Sequence, residues 1–364
     1  MNIVHLVSNK VWGGGERYAL DLASTSRDAG HNVSVFVKKN TPAAEIFASK
    51  GLLAGTMRLG GALDIFTPIR LAKRLDTLAK PVIVHVHNFR DAQTAVNARN
   101  LCKERDGIKI VCTRHLIRPA KTDSGHTALY HAIDAIIFVS QAARDAFLSS
   151  GVDVDRSRLH VVHNSIIPEK VTPLKNSSDA SADGKVKLLF AGRIVPEKGL
   201  DVLVKALELL KDTNRWTLEV CGTGKSRDVM PIVKLSRGLG IADRISWPGS
   251  VDNVQQHIAD SDVVIMPSIA PESFGLVILE AASHGVPAIA SNNGAQPEII
   301  TDGVDGILVT SGDYEALARA IRALIDDPER RKAMGSAALA TFNKRFSYEK
   351  FFKKITDIYN GLTV

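Results

Sequence analysis

The chain has 364 residues, 45% of them hydrophobic, a mean hydropathy of +0.02 and a formal net charge of +7. That length exceeds what one core usually serves, and the apolar content excludes a disordered chain, so two packed domains are expected. Residues 1–165 carry 22 Lys and Arg against 14 Asp and Glu, while the remainder carries 24 against 25, so the excess charge points to an anionic partner of the first half.

Read in chain order, a β-branched run at 3–8 is followed by the loop Gly13-Gly14-Gly15 and a helical pattern from Glu16 through Tyr18, Leu20 and Leu22. Further apolar runs at 33–37, 82–86, 108–113 and 135–139 alternate with helix-length segments. The second half repeats the plan, with strands expected at 187–191, 217–221, 245–247, 263–266, 288–290 and 306–309. Helices are expected at 200–210 and 274–283 among others. Continuous apolar strands alternating with helices indicate parallel sheets covered on both faces, hence an α/β chain of two doubly wound domains. The expected division is 1–167 and 168–345, followed by a final segment 346–364. A polar stretch with Pro173 and Asn176-Ser177-Ser178 is expected to link the halves. Cys102, Cys112 and Cys221 are scattered without CxxC spacing, which excludes a disulfide framework and suits a reducing compartment. The N-terminal run lacks a signal-peptide pattern and no apolar run reaches 18 residues, so a cytoplasmic protein is expected.

Gly224-Lys225-Ser226 imitates the end of a P-loop, but Glu219 stands where that motif needs its first glycine, and an ATPase reading is rejected. No GxGxxG fingerprint, HExxH or His/Cys cluster at ligand spacing is present. The informative constellation is Glu272-Ser273-Phe274-Gly275-Leu276-Val277-Ile278-Leu279-Glu280. With a helix starting near Phe274, Glu272 sits in the loop before it and Glu280 on its second turn, both able to face the C-terminal edge of the sheet. Open α/β sheets bind ligands there, and the amides of a first helical turn suit a phosphate. Gly192-Arg193 ends a strand and Glu197-Lys198-Gly199 opens the next helix; two cations so placed suit a diphosphate.

These residues, with Gly294, Pro297-Glu298, the first-half glycine loop and Thr113-Arg114-His115, resemble the retaining glycosyltransferases of the GT-B fold, family 4, also called glycosyl transferases group 1. The resemblance spans nearly the whole chain. It implies two Rossmann-like domains facing across a cleft, the first for an acceptor and the second for a nucleotide-diphosphate sugar, with the final segment 346–364 packing back on the first domain. Arg193 and Lys198 are then expected to neutralise the leaving diphosphate, Glu280 to accept from the ribose hydroxyls, and Glu272 to bind sugar hydroxyls. The amides around Ser273, Phe274, Gly275, Leu276 and Val277 are expected to hold phosphate and sugar. Gly222 and Val251 are expected to border the base, and Gly14 and Gly15 to approach the diphosphate. His115 corresponds to the family histidine that faces the donor sugar. His85 and His87 share a strand face by alternation, with loop anchoring and acceptor contact both open. Retention, inherited from the resemblance, implies front-face displacement.

The triplets Asp153/Asp155 and Asp260/Asp262 read as surface or capping residues, so no essential metal and no cofactor beyond the donor substrate are expected. Ala295 and Gln296 depart from the family's paired glycines, which bears on contacts near the donor sugar. Trp12 reads as a packing residue. The expected partners are a UDP- or GDP-sugar and a glycan or lipid-linked acceptor in cell-envelope polysaccharide synthesis. The basic first half has three candidate partners: an anionic membrane surface met peripherally, a pyrophosphoryl-lipid acceptor or an acidic polysaccharide. Arg70, Lys73 and Arg74, and Arg114, Arg118 and Lys121, are the expected contacts. Nucleic acid is not expected, because no aromatic-basic stacking pattern accompanies the charge. The rival readings are a non-hydrolysing sugar-nucleotide epimerase and a sugar-nucleotide-binding protein without transferase activity.

Overall fold

The computed structural model describes residues 1–59, 64–171 and 184–363. The polar stretch expected to link the halves, with Pro173 and Asn176–Ser178, lies outside the described residues. The chain divides into two compact units, one of Met1–Ser165 with the C-terminal segment from Tyr348, the other of Ile166–Ser347.

The N-terminal unit holds a parallel sheet of seven strands: β1 (Asn2–Val7), β2 (Asn32–Lys38), β3 (Leu53–Met57), β4 (Val82–Val86), β5 (Ile108–Arg114), β6 (Ala135–Phe138) and β7 (Leu159–Val161). Their order is β3-β2-β1-β4-β5-β6-β7. The apolar runs of the sequence are the central strands, which are buried on both faces and so need continuous apolar residues. The two edge strands escaped the sequence reading. Both are half-buried over most of their length, and β7 has only three residues, so neither needs a long apolar run.

The C-terminal unit holds six parallel strands: β8 (Val186–Ala191), β9 (Trp216–Cys221), β10 (Ile245–Gly249), β11 (Val263–Met266), β12 (Ala288–Ser291) and β13 (Gly306–Val309). Their order is β10-β9-β8-β11-β12-β13. All six coincide with expected runs. Both sheets are doubly wound, and the order reverses between β1 and β4 in one unit and between β8 and β11 in the other. At such a reversal the connections leave in opposite directions and open a crevice at the carboxyl ends of the strands.

The core of the C-terminal unit is built on Leu203, Leu207, Trp216, Val220, Ile265, Leu317 and Leu324. Trp216 is fully buried, and its indole N–H donates to the carbonyl of Leu210 at 3.0 Å. In the N-terminal unit, Val35, Val37 and Phe47 form one cluster with Ala19 and Ala23. A second cluster joins Ile3, Leu22, Ile83 and Val111 to Phe351, Ile355 and Tyr359 of the last helix, Tyr348–Thr363. That helix therefore completes the N-terminal unit, while Phe346 just before it packs edge-on against Phe274 in the C-terminal unit, ring centroids 6.1 Å apart.

Candidate functional site

In the C-terminal unit, the loops after β8 and β11 leave the sheet at the reversal point, and every charged residue of the expected donor site except Glu280 lies on one of them. The ends of β8 and β9 stay laced together: the Gly192 N–H donates to the Cys221 carbonyl at 2.9 Å and Ile194 to Thr223 at 2.8 Å. Gly222 sits so close that a Cβ there would stand 1.8 Å from the Gly192 carbonyl oxygen. Arg193 is exposed at this corner. The following turn, Pro196–Lys198, is pinned to the β11 loop, because the Ile269 and Ala270 amides donate to the Glu197 carbonyl at 2.8 and 3.2 Å.

This pinning brings Lys198 Nζ to 2.6 Å from Glu272 Oε1, with both side chains mostly buried. Ser268 Oγ donates to the same carboxylate oxygen at 2.6 Å. The backbone of Glu272 is held as well. Gly294 packs against it so tightly that a Cβ would lie 2.4 Å from the Glu272 carbonyl oxygen, and the Ala295 N–H donates to that oxygen at 2.9 Å. Asn293 Nδ2 donates to the carbonyls of Ser268 and Ile269 and to Ser311 Oγ at 3.0–3.1 Å. Ser268 has no motif that could have announced it; its role follows from where β11 ends.

The helix expected from Phe274 begins instead at Leu276 and runs to Ser283. Gly275 adopts φ +113, outside helical geometry, and Phe274 is spent in the core. Glu280 still falls on the second turn. No side chain caps this helix, so the amides of Leu276 and Val277, with Ser273 just ahead, stand at an N-terminus whose dipole favours an anion. Val251 is half-buried in the loop after β10, and the Gly222 N–H donates to the Gly249 carbonyl at 2.7 Å.

In the N-terminal unit, helix Gly14–Asp28 follows β1, and Gly15 lies against His115, a Cβ there falling 3.6 Å from the ring. Asn9 donates to Glu16, whose carboxyl is pushed up by burial. Four imidazoles gather at the reversal point. His5 of β1 is in register with His85 of β4, His87 lies on the same face, and His115 follows β5. Ring centroids stand 5.3 Å apart for His5–His85, 4.7 Å for His85–His87 and 5.8 Å for His87–His115. His85 bonds through Nδ1 to the Tyr359 hydroxyl at 2.5 Å and through Nε2 to Thr113 Oγ1 at 2.7 Å. Tyr18 reaches Thr113 at 3.3 Å and meets His115 edge-on at 4.9 Å. Tyr359, from the far end of the chain, was not foreseen in this network.

Burial drives all four imidazoles toward the neutral form: His5 falls to about 3 and His115 to about 4, and His85 and His87 lie well below the usual value. The buried His87 Nδ1 and His115 Nε2 have no protein partner. A neutral imidazole can donate from one nitrogen or accept at the other, which suits hydroxyl ligands.

Other sequence readings resolve individually. Asp155 accepts from the Ser157 N–H at 2.9 Å and Asp262 from the Lys187 N–H at 2.7 Å. Trp12 packs edge-on near Phe47. Arg114 is not a surface cation: its guanidinium lies over the rings of Phe89 and Phe147 at 5.2 and 5.1 Å and donates to the Arg118 carbonyl at 2.6 Å. Gln296 is fully buried and both its amide atoms lack a protein partner. A cavity of about 580 Å³ against Asp134, Arg158, His160 and Asp357 lies at the amino ends of β6 and β7, the wrong edge for this site.

Residues 12–170 match the family described as Glycosyltransferase Family 4, and residues 173–341 match Glycosyl transferases group 1. The D-inositol 3-phosphate glycosyltransferase of Streptomyces griseus is 30% identical over 77% of this chain; the match spans 66% of that relative, just under two thirds of its length. A GDP-mannose-dependent alpha-(1-6)-phosphatidylinositol monomannoside mannosyltransferase of Mycobacterium tuberculosis is 28% identical over 63% of this chain and 62% of its own. Among solved structures, Anabaena HepE in complex with UDP superposes with a TM-score of 0.84 at 21% identity, covering 99% of this chain and all of the other, a likeness of fold. Both sheets, their parallel order and the motifs at their carboxyl edges agree with that fold, and the chain belongs to the family 4, group 1 glycosyltransferases of the GT-B fold.

Proposed function

We propose that the protein is a retaining glycosyltransferase that moves a hexose from a UDP- or GDP-sugar to a glycan or lipid-linked acceptor in cell-envelope polysaccharide synthesis. The observation that carries this reading is the Lys198–Glu272–Ser268 node beside the uncapped helix at Leu276. Lys198 is held by Glu272. An arriving diphosphate offers Lys198 a doubly charged partner and releases Glu272 to accept from sugar hydroxyls. Arg193 adds a second cation, the amides of Leu276 and Val277 bind phosphate oxygens, and Glu280 takes the ribose hydroxyls. Gly222 and Val251 flank the base.

The chemistry follows as front-face displacement. The acceptor oxygen bonds to the anomeric carbon while the bond to the diphosphate oxygen breaks, and its electron pair stays on the leaving phosphate. That phosphate takes the acceptor's proton. Fixed cations and N–H donors stabilise the charge as it develops, so no divalent metal is needed for the chemistry. The neutral His115 supplies a hydrogen bond to the sugar, with Gly14 and Gly15 keeping the first helical turn beside it thin. A relative that depends on GDP-mannose and a fold relative bound to UDP support a nucleotide-sugar donor and leave the base open.

Thermal-shift screening against UDP-, GDP-, ADP- and TDP-sugars, followed by transfer assays with and without added Mg²⁺, tests the reading. One base should stabilise the protein selectively, and turnover should be independent of Mg²⁺. Lys198→Ala should lower kcat on the order of 10²–10³-fold with the fold intact. Near-normal activity of that variant would overturn the site, and isomerised donor formed without acceptor would identify an epimerase.

A further inference from the structure

Strand alternation places Glu219 and Cys221 of β9 on one face, and the helix Val254–Ala259 lays His257 over them. A ligand atom from each of the three side chains lies within 4.8 Å of the other two. We propose that Glu219, Cys221 and His257 bind a thiophilic divalent cation of the zinc class, which cross-links β9 to that helix. The donor set argues for this metal class. A soft thiolate and a borderline imidazole, completed by one carboxylate, hold Zn²⁺ in preference to Mg²⁺ or Ca²⁺. A tetrahedral centre with bonds of about 2.0–2.3 Å needs its ligand atoms about 3.3–3.6 Å apart. Glu219 Oε1 and His257 Nδ1 already stand at 3.2 Å, and the remaining approach is a side-chain adjustment. Water fills the fourth position.

The surroundings point the same way. Cys221 is buried beside the Glu219 carboxylate, and a cation between thiolate and carboxylate is attracted to both. On binding, the thiol releases one proton to solvent, so affinity should fall on acidification. Glu219 and His257 are only half-buried, which gives the ion a path in. The tethered helix directly follows the loop of Val251, so the metal stiffens a corner of the unit and takes no part in the transfer chemistry proposed above.

Chelator-treated full-length protein titrated with Co²⁺ gives a direct readout. The expected result is a thiolate-to-cobalt charge-transfer band that saturates at one equivalent, is displaced by Zn²⁺ and is unaffected by Mg²⁺. Cys221→Ser should abolish the band, and His257→Gln, at a half-exposed position that leaves folding intact, should weaken binding by at least about tenfold. Absence of the band in the unaltered protein, or a band of unchanged strength in His257→Gln, overturns the proposal. Lys198→Ala should keep the band even if it abolishes transfer, which separates failure of the metal site from failure of the donor site.

Discussion

Glu272 is held at its backbone by Gly294 and Ala295 and at its carboxylate by Lys198 and Ser268, so the proposed donor would meet a preset acceptor. The neighbouring Gln296 shows the opposite economy. Its amide is buried without a protein partner at either atom, an arrangement that costs about 1–3 kcal/mol relative to a satisfied or apolar group. Gln296→Met, close in volume and free of polar hydrogen, is therefore expected to raise stability by about 1–2 kcal/mol, checked by urea denaturation of both proteins; a lower midpoint would show that the amide is satisfied by a ligand or solvent. The carboxylate pair, the two cations and Gly294 were legible from motif and spacing. Ser268 and the burial of Gln296 were not, because a hydroxyl near a strand end and an amide in a turn look alike until the chain closes around them.

Among elements, the strands carrying the histidine cluster have a consequence for acid stability. His5 and His85 are paired by the register of β1 on β4, and burial lowers all four imidazoles. The unfolded chain takes up these protons as pH falls through about 6.5, whereas in the folded unit His115 resists down to about 4 and His5 down to about 3, with His85 and His87 also held well below the usual value. The unfolded state thus binds more protons in this window, and stability present above it is lost on acidification. Each such histidine steepens the loss by up to about 1.4 kcal/mol per pH unit. Denaturation between pH 7 and 4.5 should show a slope that His5→Leu reduces; an unchanged slope would place the protons elsewhere.

The helix Phe66–Asp76 carries the other elemental prediction. Arg70, Lys73 and Arg74 are exposed on it, and so are Ile65, Phe66 and Ile69 near its start. Cations beside exposed apolar side chains suit an anionic bilayer surface, where each charge contributes about 1 kcal/mol. Reversing the three cations to Glu should weaken sedimentation with phosphatidylglycerol vesicles by more than tenfold and leave neutral vesicles unaffected. Equal binding to both vesicle types would remove the membrane from the partners proposed for this unit.

For the whole molecule, the last helix matters most. Phe351, Ile355 and Tyr359 are buried in the core of the N-terminal unit, and burial of three such side chains is worth about 5–9 kcal/mol. That rivals the entire stability of an ordinary domain, about 5–15 kcal/mol. Deleting residues 348–364 should therefore leave the C-terminal unit folded and the N-terminal unit open to limited proteolysis. A truncated chain resistant throughout would contradict the assigned packing.

The sequence alone determined the α/β alternation, the central strands and the donor-side motifs, because apolar runs and local spacing are properties of consecutive residues. It also located the excess charge in the first half. Only the tertiary structure decided which of those cations remain on the surface, since Arg114 is drawn over two aromatic rings while Arg70, Lys73 and Arg74 stay in water. It alone joined Tyr359 to His85 and His257 to Cys221. Such contacts depend on strand order and on which helix returns to which face, and separation along the chain carries no trace of either.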